Sequence, residues 1–274
     1  MIYNRPEYWL KKKAEPREAC LTFSSPSSFT LAVDDATKHW GGTLEYSTDK
    51  NTWTVWDGTT TLSSAVSGGE NVLYLRGTGN TVITGSSSNY RWVLTGSDIK
   101  CIGNIENLLD YETVESGAHP TMASRCYYSM FRDCTSLIQA PRLPATTLTS
   151  RCYAYMFCNC TSLTQAPSLP ATTLASDCYS NMFRDCTSLT QVPALPATTL
   201  VDYCYYSMFQ GCTGLKLSAT QTGEYEQEYR IPTTGAGTTA TSALSNMFTS
   251  TGGTFTGTPE INTTYYLSNT NTIV

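Results

Sequence analysis

The sequence predicts an α+β chain, an N-terminal antiparallel β-sandwich followed by a short solenoid, on three observations. Between Cys126 and Leu215 one pattern is written repeatedly: CYYSMFRDCTSLIQAPRLPATTLTSR, CYAYMFCNCTSLTQAPSLPATTLASD, CYSNMFRDCTSLTQVPALPATTLVDY, then the opening CYYSMFQGCTGL. The leading cysteines Cys126, Cys152, Cys178 and Cys204 fall 26 residues apart. A fixed period of this size implies stacked units, each too small to bury its own apolar face. Upstream, from Cys20 to about Leu94, short β-branched and aromatic segments alternate with Ser, Gly, Asp and Asn clusters, which is the signature of strands and turns. Within each repeat, apolar residues recur at the spacing of one helix face.

Taken in chain order, residues 1–19 form a unit of their own. Tyr3, Tyr8, Trp9 and Leu10 precede Lys11, Lys12 and Lys13, with Pro6 and Pro16 as punctuation. The plain reading is a solvated tail. The sharper reading is an attachment segment whose aromatic residues plug into a larger assembly. Residues 20–95 contain LTF, FTLAV, TLEYS, TWTVW, VLYLRG and YRWVL, six or seven short strands suited to an immunoglobulin-like β-sandwich. Trp40, Trp53 and Trp56 offer either a carbohydrate-stacking platform or sandwich packing, and packing is the commoner use of large rings in a small sandwich. Residues 96–125 connect the sandwich to the repeats, and ENLLDYETV reads as a short cap on their open end.

The array itself spans 126–217. In its third copy Cys178, Met182, Phe183 and Cys186 follow i, i+4, i+5, i+8, which predicts a short helix capped by Ser176 or Asp177. The segment TSLTQVPALP then turns Leu189 inward, and its prolines forbid helix continuation. Residues 218–274 read as a degenerate coil and C-terminal cap: SALSNMF at 242–248 echoes CYSNMF, after an insertion around GEYEQEYRIPTTGAGTT. Eight cysteines form two ladders, Cys126, Cys152, Cys178, Cys204 and Cys134, Cys160, Cys186, Cys212. Buried free thiols are preferred over disulfides or structural zinc, because equivalent residues of stacked helices lie too far apart to bridge.

The stretches MFRDCTSL at 130–137, MFCNCTSL at 156–163, MFRDCTSL at 182–189 and MFQGCTGL at 208–215 resemble the BspA-like leucine-rich repeats, in their MFxxCxSL variant. The resemblance covers about a third of the chain. It implies a leucine-rich-repeat-like solenoid and a surface or secreted protein of bacteria, or of their phages, that works in adhesion and macromolecular binding.

Composition narrows the function. The chain has 274 residues and a net charge of −5, with no Lys/Arg-rich stripe, which argues against nucleic acid. No apolar run is long enough to span a bilayer, and no secretion signal is visible at the N-terminus, which fits a chain made in the cytosol if the sequence is complete, one whose export signal was removed, or one that leaves the cell in an assembled particle. Over the repeats Arg132, Arg142, Arg151 and Arg184 balance Asp133, Asp177, Asp185 and Asp202, which argues against electrostatic steering. His39 and His119 sit in no nucleophile, metal or phosphate motif, Cys158-Asn159-Cys160 lacks a positioned base, and Glu224, Glu226 and Glu228 read as a solvated loop. No catalytic residue, cofactor or metal is expected.

What differs between the copies carries more. After the fixed Tyr127, Tyr153, Tyr179 and Tyr205, the next two positions read Tyr128-Ser129, Ala154-Tyr155, Ser180-Asn181 and Tyr206-Ser207, and the preceding triplets also vary. Such Tyr, Ser and Asn content resembles the chemistry of binding surfaces. The candidate binding residues are therefore Tyr127, Tyr128, Tyr153, Tyr155, Tyr179, Asn181, Tyr205 and Tyr206. The expected function is non-enzymatic recognition of a protein or glycan receptor on a cell surface. The chain would be mounted through residues 1–19 on an assembly such as a phage virion, as a fibre, decoration or receptor-binding protein, with room for a homo-oligomer. A BspA-like bacterial adhesin and a carbohydrate-binding module are the alternatives. The expected location is a virion or cell surface.

Overall fold

The computed structural model describes residues 20–85 and 90–274. Alternation in LTFSS builds strand β1 (Leu21–Ser25), whose two faces are both covered. Leu21 and Phe23 face the main core, while Cys20 joins Val72 and Tyr74 in a small second cluster with Trp53 against it. β2 (Thr30–Val33), β3 (Thr43–Ser47), β4 (Thr54–Val55), β5 (Leu62–Ser63), β6 (Ala65–Ser67), β7 (Glu70–Thr78), β8 (Trp92–Thr95) and β9 (Ile99–Ile102) follow. β5, β2 and β8 form one antiparallel sheet. The larger sheet runs β9-β1-β7-β3-β4, with β6 on β7 and β10 (Leu137–Gln139), from the first repeat, added parallel to β9. Helix α1 (Asn107–Glu115), interrupted at Asp110, lies against β7 with Leu108 and Leu109 fully buried. The close approach needs a residue without Cβ, because a Cβ on Gly77 would stand 1.8 Å from the carbonyl oxygen of Leu108.

The expected α+β class, a sandwich followed by a leucine-rich-repeat-like solenoid of short helices, is corrected here. Among the described residues the chain is mostly sheet and turn, divided among several small sheets, and α1 is its one helix. Cys178, Met182, Phe183 and Cys186 are not on a helix, and neither Ser176 nor Asp177 caps one. In the first half of each repeat, alternate amides do different work. Tyr127, Ser129, Phe131 and Asp133 donate to the carbonyls of Cys152, Ala154, Met156 and Cys158 in the next copy, at 2.9–3.0 Å. The amides between them, those of Tyr128, Met130, Arg132 and Cys134, close turns onto the third residue back, at 3.0–3.3 Å. Every fourth residue is left-handed, with φ of 59° at Arg125, 56° at Ser129 and 63° at Asp133, and the same holds in later copies. That alternation is incompatible with an α-helix.

The physical reason is competition for backbone partners. A segment of about eight residues rich in Tyr, Ser, Asn and Cys is a poor isolated helix. The next copy, identical in pattern, offers a full row of acceptors in register. The copies therefore stack edge on edge, and their apolar side chains stack with them. Phe131, Phe157, Phe183, Phe209 and Phe248 form one column, with centroids 5.6–5.7 Å apart and rings within 7° of parallel. Tyr127, Tyr153, Tyr179 and Tyr205 form a second, at 5.6–5.8 Å. One apolar cluster runs from Leu21 through these columns to Leu267.

Both ends of the stack are closed by irregular copies. At the front, Ile83 and Trp92 donate to the carbonyls of Cys126 and Met130, the roles Tyr127 and Phe131 play one level on. Trp92 accordingly packs edge-on against Phe131, with centroids 6.0 Å apart. At the back, Tyr203, Tyr205, Ser207, Phe209 and Gly211 donate to Thr241, Ala243, Ser245, Met247 and Thr249. SALSNMF is thus the next level, reached after an insertion. That insertion carries β12 (Lys216–Ser218) and β13 (Tyr225–Arg230). With β14 (Gly252–Gly253) and β15 (Thr264–Ser268) they make a four-stranded sheet. β16 (Thr272–Ile273) pairs parallel with β11 (Gln191–Val192). No helix among the described residues is long and apolar enough to cross a membrane.

Candidate functional site

The turns of the stack display three rows of side chains, each spaced by one repeat. The first is Arg125, Arg151, Asp177 and Tyr203, all left-handed at φ 57–59°. The second is Tyr128, Ala154, Ser180 and Tyr206, and the third is Ser129, Tyr155, Asn181 and Ser207, left-handed again at φ 50–58°. Left-handed backbone suits Gly, Asn and Asp, and costs an aromatic or long side chain roughly 1 kcal/mol. Arg125, Arg151, Tyr155 and Tyr203 all hold such positions.

Where the second row carries small residues, a notch opens. Its volume is about 290 Å³ and its floor is Ala154 and Ser180. Tyr128 and Tyr155 wall one side in an edge-to-face pair with centroids 5.7 Å apart. Arg125, Arg151 and Asp177 form the rim. Arg151 Nε lies 3.5 Å from Asp177 Oδ2, which also accepts from the Ser176 hydroxyl at 3.0 Å. The Arg125 side chain has no hydrogen-bond or ion-pair partner among the described residues. Burial, and next the neighbouring Tyr128, push the Tyr155 phenol up, while Arg184 and Arg132 pull it down. Tyr155 is therefore neutral at ordinary pH, and ringed by guanidinium groups.

Of the candidate binding residues, only Tyr128, Tyr155 and Tyr206 are partly exposed on this face. Tyr127, Tyr153, Tyr179 and Tyr205 are corrected to core residues, exposed by 1% or less, because the column of rings excludes water. Their phenols are driven well above the ordinary range by burial. Asn181 is also buried, its amide donating to Ser180 Oγ at 2.9 Å. Sequence reasoning missed Arg125, Arg151 and Asp177 as parts of a site. The signal was present in the variable triplets before each leading cysteine, but helix geometry would have used them as caps. Tyr3, Tyr8, Trp9 and Leu10 lie outside the described residues.

Other candidate chemistry is accounted for by structure. All eleven cysteines are free and buried. Cys160, Cys186 and Cys212 donate their S–H to the carbonyls of Phe131, Phe157 and Phe183 at 2.9–3.0 Å, tying each copy to the one before. Cys158 is buried and its thiol raised, first by burial, so it is not an activated nucleophile. Trp40 and Trp56 are buried against each other and Trp92, and provide no stacking platform. Trp53 is half-buried beneath the Arg76 guanidinium, 4.1 Å from the ring centre. No His/Cys/Asp/Glu group among the described residues is arranged to hold a metal ion. A larger groove of about 420 Å³ runs past Pro141, Pro144, Pro167 and Pro170, with Arg142 and Ser168 as the copy-specific residues on its wall.

No family model matches the chain, and neither a curated protein nor a solved structure matches it.

Proposed function

We propose that this chain is a non-enzymatic recognition protein that binds its receptor through the notched face of the repeat stack. One observation carries the reading. The copies agree in their stacked rings and differ in the residues beside them, and the differing side chains Arg125, Tyr128, Arg151, Ala154, Tyr155, Asp177 and Ser180 converge on a polar notch walled by two tyrosines. A frame of stacked rings and inter-copy hydrogen bonds holds those side chains at little entropic cost on binding. Rigid aromatic residues beside small hydroxyl-bearing ones are the usual makings of a recognition surface. Mounting through residues 1–19 on a larger assembly such as a phage virion belongs to the same proposal, as does a receptor on a cell surface. Reduced, buried thiols suit a protein that folds before any exposure to oxidants.

The test is binding of the fluorescently labelled full chain to a panel of intact bacterial cells. Tyr155→Asn removes the ring and places at φ 58° a residue that favours left-handed backbone. We expect cell binding to fall with little change in melting temperature, while Ser168→Lys, on the proline groove, leaves binding intact. Equal binding by Tyr155→Asn and the parent chain would overturn the proposal.

A further inference from the structure

We infer that the notch takes an acidic sugar unit, with the sugar's carboxylate on Arg125 and its ring against Tyr155. This rests on the reading that the notched face is the binding surface, and adds the chemical class of the ligand.

Four features point to that class. The first is size: about 290 Å³ lies at the small end of ligand pockets, room for roughly one sugar ring rather than a stretch of peptide. The second is the lining. Apart from the Ala154 methyl and the tyrosine rings, the groups presented are hydroxyl, guanidinium and carboxylate, which reward a hydroxylated ligand and give an aliphatic side chain little to bury in. The third is charge. Arg151 is engaged by Asp177 at 3.5 Å, whereas Arg125 is unpaired among the described residues, leaving the notch one positive charge in excess. A free guanidinium fork matches a carboxylate in shape and charge. The balanced charge of the repeats as a whole hides this local excess, because Arg125 precedes the first full copy.

The fourth feature separates an acidic sugar from other anions. Asp177 is held by Arg151 and by the Ser176 hydroxyl, and presents carboxylate oxygens as acceptors on the rim. It would repel a phosphate or a second carboxylate. Sugar hydroxyls, in contrast, donate to it, so one ligand satisfies Arg125 and Asp177 together. Tyr155 adds the remaining contact. It is the one aromatic side chain at a position that the other copies fill with Ser129, Asn181 and Ser207.

The experiment uses the full chain and albumin conjugates bearing glucuronate, galacturonate or N-acetylneuraminate, with glucose and glutamyl-peptide conjugates as comparisons. We expect binding to at least one acidic sugar conjugate, with glucose and the peptide weaker by about tenfold or more. Arg125→Asn, which suits its φ of 59°, should weaken acidic sugar binding by about tenfold to a hundredfold and leave the weak glucose response unchanged. Three results would each overturn the inference: equal response to acidic and neutral sugars, a peptide conjugate binding as well, or Arg125→Asn binding like the parent chain. If Tyr155→Asn lowers cell binding while no acidic sugar binds, the ligand class is wrong and the face stands. If Tyr155→Asn leaves cell binding intact, the underlying reading has failed instead.

Discussion

Phe157→Ala is the sharpest probe of how the stack is held together. The ring is fully buried between Phe131 and Phe183, with centroids 5.6 Å away on both sides and planes within 7° of parallel. Truncating a buried phenylalanine costs about 3–5 kcal/mol through lost transfer energy and the cavity left behind. Collapse cannot fill that cavity easily, because the flanking rings are fixed by the backbone bonds Phe131 N–H to Met156 O and Phe157 N–H to Met182 O, both 2.9 Å. The upper half of the range is therefore expected. For a chain of this size, a loss of that order lowers the melting temperature by roughly 8–20 °C. Calorimetry gives the shift, and hydrogen exchange gives its reach. The amides of Phe131, Phe157 and Phe183 should lose protection together, since each level packs only on its neighbours. A shift under about 2 °C, or exchange confined to residues 152–163, would refute the argument that the column is the structural spine.

Four further outcomes are expected. A thiol reagent should label few of the eleven cysteines until the chain is unfolded, since all are buried and burial pushes Cys134, Cys152 and Cys204 up to about 12. Cys186→Ser keeps a donor to the Phe157 carbonyl and should melt above Cys186→Val, which leaves that donor position empty. Gly77→Ala should be strongly destabilising, because its Cβ would stand 1.8 Å from Leu108 O and force α1 off β7. Glu106 has its carboxyl raised above the ordinary 4.5 by burial, against the opposing hydrogen bond from His119. The folded state then holds that proton more tightly than the unfolded one, so stability should fall as pH rises from about 4.5 through the raised value. Denaturant midpoints measured across that window should flatten in Glu106→Gln.

The sequence alone determined the period, the two cysteine ladders, the inward Met, Phe and Leu, and the fifth level at SALSNMF, because those follow from repetition and apolarity. It also located the variable positions, among them Tyr128, Tyr155 and Tyr206. Secondary structure was decided by tertiary context. The spacing of Cys178, Met182, Phe183 and Cys186 fits a helix face, and nothing local excludes one. Only when the next copy supplies acceptors in register does the alternating turn pattern win, and with it the left-handed residue at every fourth position. That backbone rotates the fixed tyrosines inward and the residues two before each leading cysteine's successor outward. Tyr153 thus became core, while Arg125, Arg151 and Asp177 became the rim of a notch. The front closure was equally hidden. Ile83 and Trp92 share no motif with Tyr127 and Phe131, yet take their places because the first copy's open carbonyls need donors and its exposed ring needs a cover. Repetition is written in the chain, but which way each repeat faces is settled by the partners that stacking provides.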